Sequence, residues 1–452
     1  MSAPERRRMR WNTPAAVRPL RHRDFRLLWI GLLASMIGSG LWLVALAWQV
    51  IEIGGGPAQL SLVTALLSAG LVAFVLIGGV AADRLPQRLV MLCADLVRAA
   101  VLLTLGALSL TGNLQIWHLA LGGFVLGAGD AFFIPSYTAL LPRLLPENEL
   151  LAANGLEGTL RPLAQQAAGP ALGGIAVAAF SPGAAILANG ATFLVSAACL
   201  LAMSVRSAAR VPTEDGHSIA SAFADLREGF VYVRRTSWLW ATLVFALAFV
   251  LLIMGPLEVL MPFAIRDNVG GGADEYGLAL AAFGFGGAFG ALGISSWRLP
   301  RRYLTVMLLL WGFGTLPLAA VGFASKLWVI GAALFAVGTA FSAGVVIWGT
   351  LLQRRVPEGL RGRVSSLDFF ISLALMPVSM AVAGPLGDAL GVATVFLVAG
   401  VVPGFLAIAA ILGPRLDRDE ILHPLDQAAE DDSYLQDQSG ETVREPTAPC
   451  PS

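Results

Sequence analysis

Apolar residues in this chain come in long unbroken runs, not in the two-residue alternation of half-buried strands or the narrow stripes of soluble helices. Charge-free stretches run from Leu27 to Ile51, Ile53 to Ala82, Thr236 to Leu257, Tyr276 to Trp297, Tyr303 to Ser325 and Leu327 to Gln353. Each offers the roughly 20 apolar residues that one bilayer crossing needs. The stretch from Pro162 to Val205 also lacks charge but is too long for one crossing, and Ser181-Pro182-Gly183 supplies turn chemistry to divide it. The pattern predicts twelve spans, near 25–51, 60–82, 89–111, 115–140, 153–180, 183–205, 237–263, 276–297, 303–324, 327–350, 364–387 and 391–413.

Composition agrees: 56% of the residues are hydrophobic and 13% charged, with a mean hydropathy of +0.73, which excludes an ordinary soluble domain. The zero net charge conceals an ordered distribution of arginine on alternate loops. Arg6, Arg7, Arg8, Arg10, Arg18, Arg21, Arg23 and Arg26 precede span 1; Arg84 and Arg88 follow span 2, and Arg143 follows span 4. Arg206, Arg210, Arg227, Arg234 and Arg235 lie between spans 6 and 7, Arg298, Arg301 and Arg302 after span 8, and Arg354, Arg355, Arg361 and Arg363 after span 10. The opposite loops carry only Arg266 and Lys326. Positive charge marks the cytoplasmic side, so a multi-pass protein of the bacterial inner membrane with both termini in the cytoplasm is expected. The first apolar run exceeds a signal-peptide core and no small-residue cleavage site follows, so it reads as an uncleaved span.

Cys93, Cys199 and Cys450 have no paired spacing, and His22, His118, His217 and His423 are scattered. Neither a disulfide framework nor a metal site is expected. No phosphate-binding loop is present, so no cofactor and no ATPase of its own is expected.

The two halves resemble each other. Gly79 to Arg88 matches Gly293 to Arg302, Leu140 to Glu147 matches Leu351 to Glu358, and Gly169-Pro170 recurs as Gly384-Pro385, at separations of 214, 211 and 215 residues. Three matches in one order pair spans 2, 4 and 5 with 8, 10 and 11, making two parallel six-helix halves. The expected organisation is a basic N-terminus (1–24), a first bundle (25–205), a linker (206–236), a second bundle (237–413) and an acidic tail (414–452). Phe223, Leu226, Phe230 and Val233 give the linker a helical apolar stripe, whereas the tail's composition predicts disorder.

These residues resemble the major facilitator superfamily, in particular its enterobactin-exporter-like and macrolide-efflux-like branch, from about Asp24 to Leu412. Gly79 to Arg88 resembles the family's G-x-x-x-D-R-x-G-R-R loop, departing at Pro86 and Gln87. Ala131-Phe132-Phe133-Ile134-Pro135, the Leu141 to Pro146 stretch, Pro262-Phe263, Tyr276-Gly277 and Asp225 to Gly229 resemble the same branch. Gly169, Pro170, Gly173 and Gly174 match the span 5 G-P-x-x-G-G motif associated with export. The resemblance implies an all-α membrane protein of the major facilitator fold, twelve helices in two pseudo-symmetric bundles. Gly123 stands where drug antiporters of the family usually carry a span 4 arginine.

Asp83 and Arg84, with Arg88, end the span 2 side of that loop, where a carboxylate accepts from N–H groups opening a neighbouring helix. The resemblance implies that this neighbour is span 11, opening near Arg363, so that the contact latches the halves when the site faces outward; the alternative is a charge that only fixes topology. In span 5, Asn154, Glu157, Arg161 and Gln165 fall on one polar stripe that lipid would not tolerate. Asp368 stands 211 residues after Glu157, which leaves Glu157 open between gate and substrate site. Asp130 reads as an isolated carboxylate halfway along span 4, either a proton or substrate group or a helix-contact residue, with Arg161 of span 5 as a candidate cationic partner. Asp95 and Arg98 read as a local structural pair. Gly286, Gly290 and Gly293 suggest close packing of span 8.

The reading is a secondary transporter that exports a small organic molecule such as a drug, siderophore or secondary metabolite by proton antiport and alternating access. An uptake permease of the same fold is the alternative; a membrane-embedded enzyme is remote, because no catalytic cluster is visible. Its partners are then the small-molecule substrate, protons and the lipid bilayer, without nucleic acid, and a monomer is expected.

Overall fold

The computed structural model describes residues 15–204, 230–296 and 300–425. The basic residues 1–14, most of the linker helix expected within 206–236, Trp297 and the tail beyond 425 lie outside them. Everything described is helix and turn. Eleven helices among the described residues are long and apolar enough to cross a membrane: Arg23–Glu52, Pro57–Arg84, Gln87–Leu110, Ile116–Leu144, Pro182–Ala202, Ser237–Val269, Ala273–Ser295, Tyr303–Val321, Leu327–Arg355, Leu360–Leu390 and Val392–Leu412. The expected twelfth, span 5, is built of Glu147–Arg161, a π-helical turn Pro162–Ala168 and Gly169–Ala179. It escapes the apolar criterion because its first half is the polar stripe. Its second half packs against spans 1 and 8 as a full member of the bundle.

Twelve crossings put both described ends on one side, here the terminal side. Turns on the two sides use different chemistry. On the far side Gly54, Gly112, Gly270 and Gly391 take φ of 70 to 84°, a left-handed conformation that glycine adopts without penalty. On the terminal side, Pro86, Pro146 and Pro357 open spans 3, 5 and 11 as N-caps; proline suits a helix start because its missing N–H would find no partner there.

Glycine also sets how closely the helices approach. A Cβ at Gly70, Gly78 or Gly127 would run into backbone across the span 2/span 4 contact, and one at Gly286, Gly290 or Gly338 would do so across span 8/span 10. These are equivalent pairs in the repeat. Gly293, expected to join them, has nothing within 4 Å, so it lies past the contact.

The halves meet through two further equivalent pairs. Span 5 touches span 8, where a Gly277 Cβ would stand 2.5 Å from the Pro170 carbonyl oxygen, and a Gly174 Cβ 2.6 Å from that of Ala273. Span 2 touches span 11, where Ser61 Oγ accepts from the Gly384 N–H at 2.7 Å. Ser61 and Gly277 lie near the far-side ends of their helices. Toward the terminal side the halves diverge: Glu147–Arg161 packs on elements of its own half, and Leu151 is 83% exposed. The space between the halves is therefore shut on the far side and open on the terminal side.

The chain after Pro414, expected to be disordered, begins with a helix, Leu416–Leu422. Glu420, fully buried, accepts from the N–H groups of Leu304 and Thr305 at 2.8 and 3.1 Å and from Thr305 Oγ1 at 2.7 Å. It caps the otherwise unsatisfied start of span 9. Beside it Arg355 pairs with Asp419 at 2.7 Å and lies over the Trp238 ring. Tyr303 donates to the His423 carbonyl. Composition pointed to disorder because acidic residues dominate, but two of these acids have partners waiting on spans 9 and 10.

Candidate functional site

The central feature of the first half is an arginine gripped by two carboxylates. Arg98 on span 3 is 4% exposed and pairs with Asp95, one turn before it at 2.5 Å, and with Asp130 of span 4. Its guanidinium lies 4.7 Å from the Phe133 ring centroid and 4.4 Å from that of Phe193. Asp95 is wholly buried, whereas the Asp130 side chain keeps 42% of its surface open. Asp130 is thus not isolated, and Asp95 and Arg98 are not merely a local pair. Spacing along the chain carries no hint of this, because the register of span 3 against span 4 decides it. Nor is Arg161 the partner of Asp130: it bonds Glu157 at 2.7 Å and Gln165 at 3.3 Å, and reaches Asp130 only through space.

The cluster carries two acids against one base. Two ionised carboxylates around one guanidinium leave an excess negative charge in an apolar setting, which is costly unless a proton or another cation joins. Asp130 is the one of the two carboxylates with an open side.

Glu157 also lies within electrostatic reach of the Tyr137 hydroxyl of span 4. In the second half Trp348 Nε1 donates to Asp368 at 3.1 Å. Trp348 and Asp368 stand 211 residues after Tyr137 and Glu157, so an aromatic residue faces a carboxylate at equivalent positions of the two halves, with the hydrogen bond formed in the second. The repeat extends here from backbone motifs to side-chain chemistry.

The remaining site candidates sort as follows. Asp83 and Arg84 are exposed, with no hydrogen bond or ion pair among the described residues, and the inner half of span 11 has little contact with span 2. Arg88 donates to the Leu200 and Leu201 carbonyls, tying span 3 to the end of span 6 within its own half. Arg363, expected to open span 11, lies five residues inside a helix that already opens at Glu358. Gln87, at the departure from the family loop, bonds the Ala82 carbonyl and receives Arg143, closing the turn in its own way. Gly169 packs on span 1 at Ile37 and Gly40, Gly173 packs on Leu41, and Gly174 faces span 8, with Pro170 beside Gly277. The motif thus lets span 5 lie against both halves. At Gly123 a Cβ would stand 3.2 Å from the Val63 carbonyl, so this position belongs to the close span 2/span 4 packing.

The second half answers charge with aromatics. Phe341, at the repeat position of Asp130, lies 6.2 Å from Phe249 and 6.4 Å from Phe283. With Leu257 and Trp311 these rings line an apolar pocket. One carboxylate interrupts this surface: Glu258, in the π-helical turn Pro256–Leu260 of span 7. Sequence reading placed it inside span 7 (237–263) without singling it out, because no motif marks it. The helix continues through it.

Comparison with known proteins agrees with this architecture. A family profile described as transmembrane secretion effector matches residues 14–440. The multidrug efflux pump Tap of Mycolicibacterium fortuitum is 27% identical over 398 residues, covering 86% of this chain and 95% of the relative. Macrolide efflux protein A of Streptococcus pyogenes is 23% identical over 385 residues, covering 83% and 92%. Among solved structures the nucleoside transporter NupG superposes with a TM-score of 0.69 at 11% identity, covering 86% of this chain and 98% of that one.

Proposed function

Because the chain belongs to the transmembrane secretion effector family of major facilitator transporters, we propose that it exports small amphipathic organic molecules in exchange for protons. The arginine-rich terminal side is the cytoplasmic side, so the described conformation is open to the cytoplasm and closed outward. Export of drugs is in keeping with the names of the multidrug and macrolide relatives. The two half-surfaces fit an amphipathic cargo, with charge on spans 3 to 5 and aromatic rings on spans 7 to 10.

One observation carries the coupling: Arg98 is shared by a sealed carboxylate, Asp95, and an accessible one, Asp130. A proton taken up by Asp130 from outside cancels the excess charge and weakens its grip on Arg98, leaving Arg98 to Asp95. In the inward-open state Asp130 returns the proton to the cytoplasm and the triad closes again. Glu157 and Arg161 extend the polar stripe toward the cytoplasmic mouth. Asp83 and Arg84, without a hydrogen bond or ion pair among the described residues, engage the start of span 11 only when the mouth closes. A membrane potential of 100 mV makes one inward charge worth about 2.3 kcal/mol, roughly a fifty-fold gradient of a neutral cargo.

The test uses inside-out vesicles carrying wild type or Asp130→Asn. The variant is expected to keep downhill exchange of a transported dye and to lose accumulation driven by a proton gradient. Gradient-driven accumulation at the wild-type rate would remove Asp130 from the coupling path.

A further inference from the structure

The turn after span 12 puts a charged residue where the backbone favours glycine. Arg415 takes φ of 56° and is the sole left-handed non-glycine residue among those described; glycine would meet no Cβ penalty there. The turn reverses the chain, so that Leu416–Leu422 packs against spans 7, 9 and 12. Glu420 fixes the depth of this helix by capping the first turn of span 9, and Tyr303 fixes it again through the His423 carbonyl. The helix is therefore level with the edge of the hydrocarbon on the terminal side.

At that level it buries Leu416 and Glu420 completely and leaves Ile421 and Leu422, neighbours in the chain, 59% and 76% exposed. The same kind of surface runs along span 12, where Phe405, Ile408 and Leu412, at steps of three and four, form an exposed apolar stripe. Span 12 packs chiefly on its own half, so this stripe faces acyl chains. Ile421 and Leu422 carry apolar surface past its end, to the depth of the headgroups. The charge at that depth is basic. Arg415 and Arg418 are exposed, without an ion pair among the described residues, and share a helix face with Leu422. Arg301 and Arg302, also exposed, immediately precede Tyr303. Of the helix's own acids, Asp419 is held by Arg355 and Glu420 by span 9, which leaves only Asp417 to oppose them. Apolar side chains beside arginines at this depth are the composition of a segment that lies in the membrane interface. A second copy of the chain is a poor occupant, because a stable dimer buries roughly 800 Å² per partner, far more than one seven-residue helix offers.

We propose that the exposed face of Leu416–Leu422 seats on anionic phospholipid, with Arg415 and Arg418 on the headgroup phosphates and Ile421 and Leu422 among the upper acyl chains. The surface is independent of the exporter reading and of the Asp95, Arg98 and Asp130 triad.

The test is a bimane probe on Pro424→Cys, an exposed position just past the helix, in full-length protein with Cys93, Cys199 and Cys450 changed to serine. In nanodiscs of phosphatidylcholine with a minor share of phosphatidylglycerol, a nitroxide is carried on the acyl chain of one lipid or the other. Quenching per labelled lipid should be several-fold greater for phosphatidylglycerol. Arg415→Gln with Arg418→Gln should reduce that preference by up to about five-fold for each arginine at low salt, and added salt should do the same to wild type. Ile421→Ser with Leu422→Ser should weaken quenching by both lipids. Arg415→Gly should lose preference while unfolding no earlier than wild type in detergent, which separates lipid contact from a merely structural part in the turn. Equal quenching by the two lipids in wild type, a preference that survives loss of both arginines, or no quenching by either lipid, as when another protein chain covers the helix, would each overturn the proposal.

Discussion

Replacing Gly277 by alanine tests whether the contact between spans 5 and 8 is the closed outer gate. The added Cβ would stand 2.5 Å from the Pro170 carbonyl oxygen and 3.1 Å from Gly174 Cα. Both neighbours are backbone, so no rotamer change relieves the clash and the two helices must move apart. Overpacking of this kind costs typically about 1–3 kcal/mol. The cost applies only to the conformation in which spans 5 and 8 touch, so the ratio of outward-closed to outward-open molecules should fall roughly 5- to 150-fold. Ser61, 1% exposed on the separate span 2/span 11 contact, reports the opening without sharing the substituted site. In a background with Cys93, Cys199 and Cys450 changed to serine, Ser61→Cys should react with an impermeant maleimide in intact cells. Adding Gly277→Ala should raise that rate by the stated factor, up to the limit of a fully open gate. An unchanged rate in a protein that still folds would refute the reasoning, because the halves would then not part as rigid bodies about these glycines.

Arg98→Met should strand Asp95 in an apolar interior and cost about 3–5 kcal/mol, read as a lower unfolding temperature of the purified protein; adding Asp95→Asn should recover most of it. Glu420→Ala should leave the Leu304 and Thr305 N–H groups without their acceptor and cost about 1–3 kcal/mol, measured the same way. Asp83→Asn should leave the unfolding temperature of this inward-open state unchanged while slowing dye export severalfold in cells, since its expected partner is met only after the mouth closes.

The spans were legible because a bilayer crossing imposes a length and an apolarity that few other structures share, and the doubled Gly-Pro and Pro-Glu stretches revealed the two halves. Span 5 was placed by its charge-free second half, although its polar first half resembles a surface helix. What the sequence could not convey was register. Arg98 belongs with Asp130 only because spans 3 and 4 are aligned so that residues 32 apart come side by side. Glu258 lay inside the expected span 237–263, but no motif singled it out, and only the fold shows a helix carrying that charge within the bundle. The acids at Asp419 and Glu420 looked like solvent-loving tail until their partners, more than 60 residues earlier, were folded beside them.

The Glu420 cap also bears on biosynthesis. A membrane helix is handed into the bilayer as it is translated, yet the acceptor for the first N–H groups of span 9 is made 116 residues later. Throughout that interval the nascent second half holds a helix start whose donors only water or lipid headgroups can satisfy. Completion is thus a late event, reached when Leu416–Leu422 folds back beneath spans 7, 9 and 10. A reporter fused directly after span 12 would yield a chain that inserts but never finishes assembling, while one fused beyond residue 425 would leave the capping helix in place.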